Sequence, residues 1–423
     1  MTYRTDRRMR RHRTRVYRRR RLLALVAVVV LVVALAAAAF AVTRGSGKDA
    51  GRGSTAAAGG KASGTPSASP SHAAPASPSP SAAWTGPPSD KLNLKLRKVI
   101  VSADISPKSV VSSGTGYVFA QNMMYRHTIT VYDTKTLALV KTIPDRIKLS
   151  DYGYKKKTGS VQGAPVEAAE TPDHRFMYVS QYSMYGDGFY HQGDDVCSPS
   201  SGIDDSYVYR VPIDTLKIDK VIKVGAVPKF LAVTPNQDYL LVSNWCSYTL
   251  SVVDVHTSKE LRQVYLGPYP RGIAVDPDSR YAYVAVMGSY DIARVDLQDW
   301  GVTWIRGVGS GPRHVIMSPN GKKLYATLNA EGNIAKIDVA EKRVVDKVYT
   351  GSEPRSMAMA PDGKSLYVVN YGSNTMSKVR TSDMKVIQVV NTNAAPIGIT
   401  YDAPSKSVWV CCYSGSIMVF EDR

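Results

Sequence analysis

The chain has 423 residues, with 54 Lys and Arg against 35 Asp and Glu, and a formal net charge of +19. Its 44% hydrophobic and 21% charged residues fit a globular protein with a substantial core and exclude global disorder. Residues 1–89 hold 15 Lys and Arg but only two acids, leaving +6 on the rest, so the overall basicity is no argument for a nucleic-acid-binding domain.

The first predicted element is a membrane anchor. Residues 1–21 carry 11 Arg and one Asp, and residues 22–42 are 21 uncharged residues without Pro or Gly. At about 1.5 Å per residue that run crosses a hydrocarbon core of about 30 Å. The Arg block stays cytoplasmic by the positive-inside rule, which places everything after Val42 outside. The competing reading is secretion after signal cleavage, with Ala39, Phe40 and Ala41 as a small-x-small site; the apolar run is long for a signal peptide. Residues 43–89 are almost wholly Ala, Ser, Gly, Pro and Thr, bury nothing, and read as a disordered linker.

From residue 90 onward the chain repeats. Pro228, Pro270, Pro312, Pro354 and Pro396 fall at a constant spacing of 42, and the pattern extends back to Pro165 and Pro107 with 21 and 16 inserted residues, giving seven units. In each, a small-residue strand follows the Pro, then a turn of Pro361-Asp362-Gly363 type, an apolar strand such as Tyr367 to Asn370, an alternating strand such as Thr375 to Val379, and a fourth strand such as Glu260 to Leu266. Four strands per unit, repeated radially, is the composition of a β-propeller blade. The last unit has only three strands, and Leu96 to Ser102 has the apolar character to supply the fourth and close the ring.

The blocks Tyr367-Val368-Val369-Asn370, Leu241-Val242-Ser243-Asn244, Ser251-Val252-Val253-Asp254 and Ile334 to Asp338 resemble the YVTN-type, YncE-like propeller repeat, over roughly residues 96–420. The resemblance implies an all-β, seven-bladed β-propeller over 90–423. It says little about function, because the repeat serves many proteins. Related propellers can be enzymes of lactonase, lyase or quinoprotein-like oxidoreductase type, and such an enzyme, with its site at the channel mouth, is the alternative to a binding or protein-interaction module.

In a propeller the repeat prolines lie on one face, at the mouth of the central channel. The residues that follow them include Lys108, Lys229, Arg271, Arg313 and Arg355, with His314 beside Arg313. Two readings stay open: an electrostatic funnel for an anionic ligand, or cations paired with acids such as Asp254, Asp296 and Asp338 in neighbouring strands. The insertions, 144–163 and 183–206, map to the same face and bring Tyr152, Tyr154, Tyr185 and Tyr190, while Trp245 comes from a shorter loop. Aromatic planes suit sugar rings and cations suit carboxylate or phosphate. Export then makes a cell-envelope polymer, an anionic small molecule or a protein the expected partner, and nucleic acid an unexpected one.

Cys197 and Cys246 lie in loops that the fold brings together, and an exported chain favours a disulfide between them over free thiols. Cys411 and Cys412 are adjacent on one strand and point to opposite faces, as buried small hydrophobes or, alternatively, as a vicinal disulfide. No metal site is expected from spacing; a centre on His191 and His314, or a calcium ion ordering Asp187, Asp194, Asp195, Asp204 and Asp205, are the weaker alternatives to solvated loops. No G-x-S-x-G, P-loop or HExxH motif occurs, so no catalytic residue is assigned and no cofactor is predicted.

Overall fold

The computed structural model describes residues 86–423. The expected anchor (1–21 and 22–42) and most of the expected linker (43–89) lie outside the described residues, and among those described no helix is long and apolar enough to cross a membrane. The described chain is all-β: seven four-stranded antiparallel sheets, one three-stranded sheet and three short 3-10 turns.

The third sheet illustrates how sequence builds each unit. Pro228–Val233 is followed by Tyr239–Asn244, Thr249–Asp254 and Lys259–Tyr265, each paired with the one before. The second strand is buried along almost its whole length, whereas the outer strand is mostly exposed. A continuous apolar run thus marks a strand covered on both faces and an alternating one marks the edge. Turns between the strands carry the polar side chains: Asp254, for example, accepts the Thr257 N–H at 2.6 Å.

Apolar clusters fill the spaces between successive sheets. Leu241 and Val252 pack with Val284 and Ala293 between the third and fourth, Tyr325 and Ile334 with Leu366 and Val379 between the fifth and sixth, and Trp409 and Ile417 with Val110 and Val118 between the seventh and first. Each fully buried Val, Leu or Ile contributes about 1.5–3 kcal/mol. The inner strands neighbour one another in the same cyclic order, with Ser109–Ser112 lying beside both Pro165–Glu170 and Pro396–Asp402. Gly272 and Gly398 permit that close approach. A Cβ on Gly272 would lie 2.7 Å from the His314 Cα and 2.8 Å from the Arg313 carbonyl oxygen. Cys411 and Cys412 are free and buried, and they join different clusters on opposite faces of their sheet.

The seventh sheet takes its outer strand from the other end of the described chain. Leu94–Val101 pairs with Ser416–Asp422, Leu94 opposite Asp422 and Val101 opposite Ser416. Ser89 anchors the entering segment, its N–H and hydroxyl donating to Asp362 at 2.8 and 2.6 Å. The seam contains a fully buried ion pair: Lys378 Nζ donates to Asp422 at 2.5 Å and to the Leu92 carbonyl at 2.8 Å, and the Tyr367 hydroxyl donates to the other Asp422 oxygen. Truncating Asp422 leaves a buried ammonium without its counter-ion. D422A should lower unfolding stability by about 3–5 kcal/mol in urea denaturation, while the apolar pair K378M/D422L should recover most of that loss.

Candidate functional site

In six of the seven sheets the ladder between inner and second strands slips next to the repeat proline. Pro228 pairs with Asn244 and pairing resumes at Phe230; the same slip follows Pro165, Pro270, Pro312, Pro354 and Pro396. A bulge leaves the skipped residue outside the ladder and re-aims its side chain. The skipped residues include Lys229, Arg271, Arg313 and Arg355. Lys108 joins them from just before the first inner strand, its N–H donating to the Gln121 carbonyl at 2.7 Å.

The residue before the proline takes a left-handed conformation, with φ of 56° at Val227, 53° at Glu353 and 59° at Ala395. Each turns its carbonyl toward the loop between second and third strands. The N–H groups of Trp245, Tyr371 and Tyr413 donate there at 2.9, 3.0 and 3.0 Å, and that of Tyr182 donates to Ala164 at 2.7 Å. An aromatic ring is thereby placed beside a cation. Lys229 Nζ lies 3.8 Å from the centroid of a Trp245 ring, and the Arg355 guanidinium carbon 3.8 Å from that of Tyr371.

These cations are not spread on an open rim. Lys108, Lys229, Arg271 and Arg313 are 4–6% exposed, and they act on one another and on Glu167, itself buried in the second inner strand. Burial, then Arg271, lowers the Lys108 amine well below its ordinary range, and burial, then Arg271, brings Lys229 down to about 7. Burial pushes the Glu167 carboxyl up, against the pull of Lys108 and Arg271. The expected pairing with Asp254, Asp296 and Asp338 does not occur: Asp254 caps its own turn, Asp296 binds Arg280 at 2.7 Å and Asp338 binds Lys323 at 2.5 Å. Lys229 instead pairs with Asp195 at 2.7 Å and Arg355 with Glu353 at 3.0 Å. Among the described residues Arg271 and Arg313 have no carboxylate at ion-pairing distance, and Arg313 Nε is buried without a hydrogen-bond partner.

Below the cations runs a cavity of about 530 Å³ along the inner strands, lined by residues such as Val110, Ala168, Phe230, Ile273 and Met357, and including Glu167 and His314. His314 belongs to this wall. Its Nδ1 accepts the Met357 N–H at 3.1 Å, its ring packs 5.0 Å from Phe230, and burial with Arg271 and Arg313 lowers it to about 3, which keeps it neutral. It is a wall residue and not a cation at the mouth.

The two insertions meet in the three-stranded sheet, where Arg146–Lys148 and Tyr185–Gly186 flank Ser160–Gln162. Tyr152 and Tyr154 do not offer their rings as a platform. Their hydroxyls donate to the Ile218 and Val221 carbonyls at 3.3 and 3.2 Å, fastening the first insertion along the second sheet, because these rings fill the apolar gap beneath it. Tyr185 and Tyr190 are exposed, Tyr185 edge-on to His127 at 5.4 Å. Trp245 is buried, its ring tilted against that of Tyr269 with centroids 4.5 Å apart, and its Nε1 donates to the Asp195 carbonyl at 3.1 Å. Cys197 and Cys246 form a disulfide, with Cα atoms 5.4 Å apart. The acids of the second insertion act separately: Asp204 accepts the N–H groups of Tyr190 and His191, Asp205 pairs with Lys223, and Asp195 with Lys229. Among the described residues no group of three or more His, Cys, Asp or Glu is placed to hold a metal ion.

Glu167, Tyr182 and Tyr413 belong to this constellation without having been given a role from the sequence, and Asp195, read there only as one of five acids for a calcium ion, belongs to it as the partner of Lys229. Glu167 carried a signal, since it is an acid at the start of an inner strand of small and apolar residues; the rings carried one as the residue directly after the second strand in four of the seven sheets.

Residues 198–410 match the model of the YNCE-like beta-propeller family. No curated protein matches the chain in sequence. Among solved structures it is similar to hydrazine synthase of Kuenenia stuttgartiensis, at 19% identity and a TM-score of 0.59, over 76% of this chain and 96% of that one. At that identity the likeness concerns the fold alone.

One buried acid at the root of the first insertion sets a pH dependence. Asp145 is 1% exposed, neither carboxyl oxygen has a hydrogen-bond partner, and burial raises it from 3.8 to about 8. Between those values the folded chain holds a proton that the unfolded chain has released, so this group's contribution to stability falls as pH rises from about 4 to about 8. D145N cannot ionise; its melting temperature should drop less than that of the wild type between about pH 5 and pH 8, and parallel curves would count against the assignment.

Proposed function

The chain belongs to the YNCE-like beta-propeller family, and from that premise we propose that it is a seven-bladed, membrane-tethered binding module outside the cytoplasm, whose ligand presents an anionic group to the cationic end of the channel. The seven four-stranded sheets and the cyclic order of their inner strands support the blade count. The Arg-rich start, the apolar run at 22–42 and the Cys197–Cys246 disulfide support export, since disulfides persist in oxidising compartments.

The observation that carries the ligand class is the pair Arg271 and Arg313. Each is about 95% buried, neither has a carboxylate at ion-pairing distance among the described residues, and the buried Glu167 acts on both only from beyond that distance. A buried cation without a carboxylate in direct contact is expensive to hold, and an arriving anion relieves that penalty. Their burial favours a small anionic molecule, or the charged terminus of an envelope glycan, over the flat side of a polymer, which a buried guanidinium cannot reach. The half-buried rings of Tyr182, Tyr371 and Tyr413 suit an attached sugar or other flat apolar surface.

Calorimetric titration of the full chain with galacturonate and with inorganic phosphate tests this. Binding should weaken with added salt, and R271A or R313A should each lower affinity about tenfold or more, the worth of one charge-assisted hydrogen bond. If both variants titrate like the wild type, the channel end is not the site.

A further inference from the structure

Asp195 differs from the other carboxylates at the cationic end. Glu167 and Glu353 belong to the repeat itself, in or just before an inner strand, whereas Asp195 hangs from the second insertion and reaches the cations from the solvent side. The exposures differ accordingly: the Lys229 side chain is 8% exposed and that of Asp195 80%. One oxygen, Oδ1, receives both the Lys229 ammonium at 2.7 Å and the Tyr182 hydroxyl at 3.3 Å, and its charge acts on Arg271 as well. An acid laid from outside over a buried lysine, next to two arginines with no carboxylate at ion-pairing distance among the described residues, occupies the position an incoming anion would take.

The insertion is fastened at the Asp195 backbone, whose carbonyl accepts the Trp245 Nε1–H at 3.1 Å, and beside it, but not through the Asp195 carboxylate. Two residues on, Cys197 is bonded to Cys246, and the Tyr248 hydroxyl donates to the Cys197 carbonyl at 2.8 Å. Between Gly186 and Pro199 the chain has no strand or helix, and Val196 is 82% exposed. The carboxylate, with its side chain 80% exposed, can therefore swing off Lys229 by side-chain rotation while the disulfide and the Trp245 bond hold the strap in place.

We propose that Asp195 is a built-in stand-in for the ligand's own carboxylate: the ligand is a carboxylate-bearing molecule that displaces Asp195 from Lys229 and Tyr182, and the second insertion is a self-competing strap. The proposal rests on the anion-site reading above. A tethered competitor lowers apparent affinity by the fraction of molecules in which it occupies the site. Because one partner of the ion pair is largely exposed, the pair is of modest strength, and removing its charge should tighten binding by about three- to tenfold.

The test titrates the full chain, wild type, D195N and D194N, with galacturonate, with its neutral counterpart galactose and with inorganic phosphate. D194N removes the same charge from the neighbouring position. The proposal holds if D195N binds galacturonate about three- to tenfold more tightly than the wild type while D194N does not, and galactose binds to none. Equal affinity in D195N and wild type, or equal tightening in D194N and D195N, overturns the strap and leaves the anion site standing. Binding of phosphate without galacturonate overturns the carboxylate assignment. Failure of every anion to bind any of the three chains overturns the anion-site reading and this proposal with it.

Discussion

The structure depends on one seam. Seven sheets packed face to face complete their apolar interfaces only if the last meets the first, and that meeting is made by Leu94–Val101, which adds the outer strand to a sheet otherwise built from residues 396–422. Bringing together segments more than 300 residues apart is inexpensive in chain entropy, because the loop-closure term grows by only about 0.6 kcal/mol per doubling of length. Without the added strand, Ser416–Asp422 would be an unpaired edge and Lys378 would lose the Leu92 carbonyl. Strand pairing and the buried ion pair thus satisfy one another: closure supplies the partner of the lysine, and the lysine fixes where closure occurs.

The closed ring gathers the starts of seven inner strands at one end of one channel, although the cations there come from positions as far apart as 108 and 355. A local device, the bulge beside the proline, turns Lys229, Arg271, Arg313 and Arg355 out of their ladders, and Lys108 joins them from just before the first inner strand. The outcome opposes stability, since like charges are buried close together and each lowers its neighbours' affinity for protons. Folded proteins confine such conflicts to a few sites and compensate elsewhere, and here the rest of the ring carries an apolar cluster at each interface.

The architecture was legible because its signals are local and repeated. The 42-residue proline spacing marks inner strands that do begin at those prolines, and the apolar stretch expected over Leu96 to Ser102 is the closing strand, displaced by two residues at its start. The disulfide was legible because both cysteines lie in equivalent loops of adjacent units. The site was legible only in composition. A residue following a proline could not be seen to be buried, since the bulge that turns it inward is a slip in pairing and leaves no residue signature. Tyr152 and Tyr154 read as a platform because an aromatic in an insertion looks the same whether it faces a ligand or fastens the loop. Asp195 was one acid among five in its loop, and only the fold places it over a lysine 34 positions away.

The closing strand also fixes the polarity of attachment. Val101 pairs with Ser416 at the end where the prolines and cations lie, and Leu94 pairs with Asp422 at the opposite end, so the polypeptide enters the ring on the side away from the site. A pull between the cationic end and the entering chain therefore runs along the strand rather than across it. The backbone bonds between 94–101 and 416–422 are loaded together, in shear, and must fail as a group, whereas a chain entering from the cationic end would peel them away one at a time. The ring is closed at a place, and in a direction, that resists being drawn open by a pull on its entering strand.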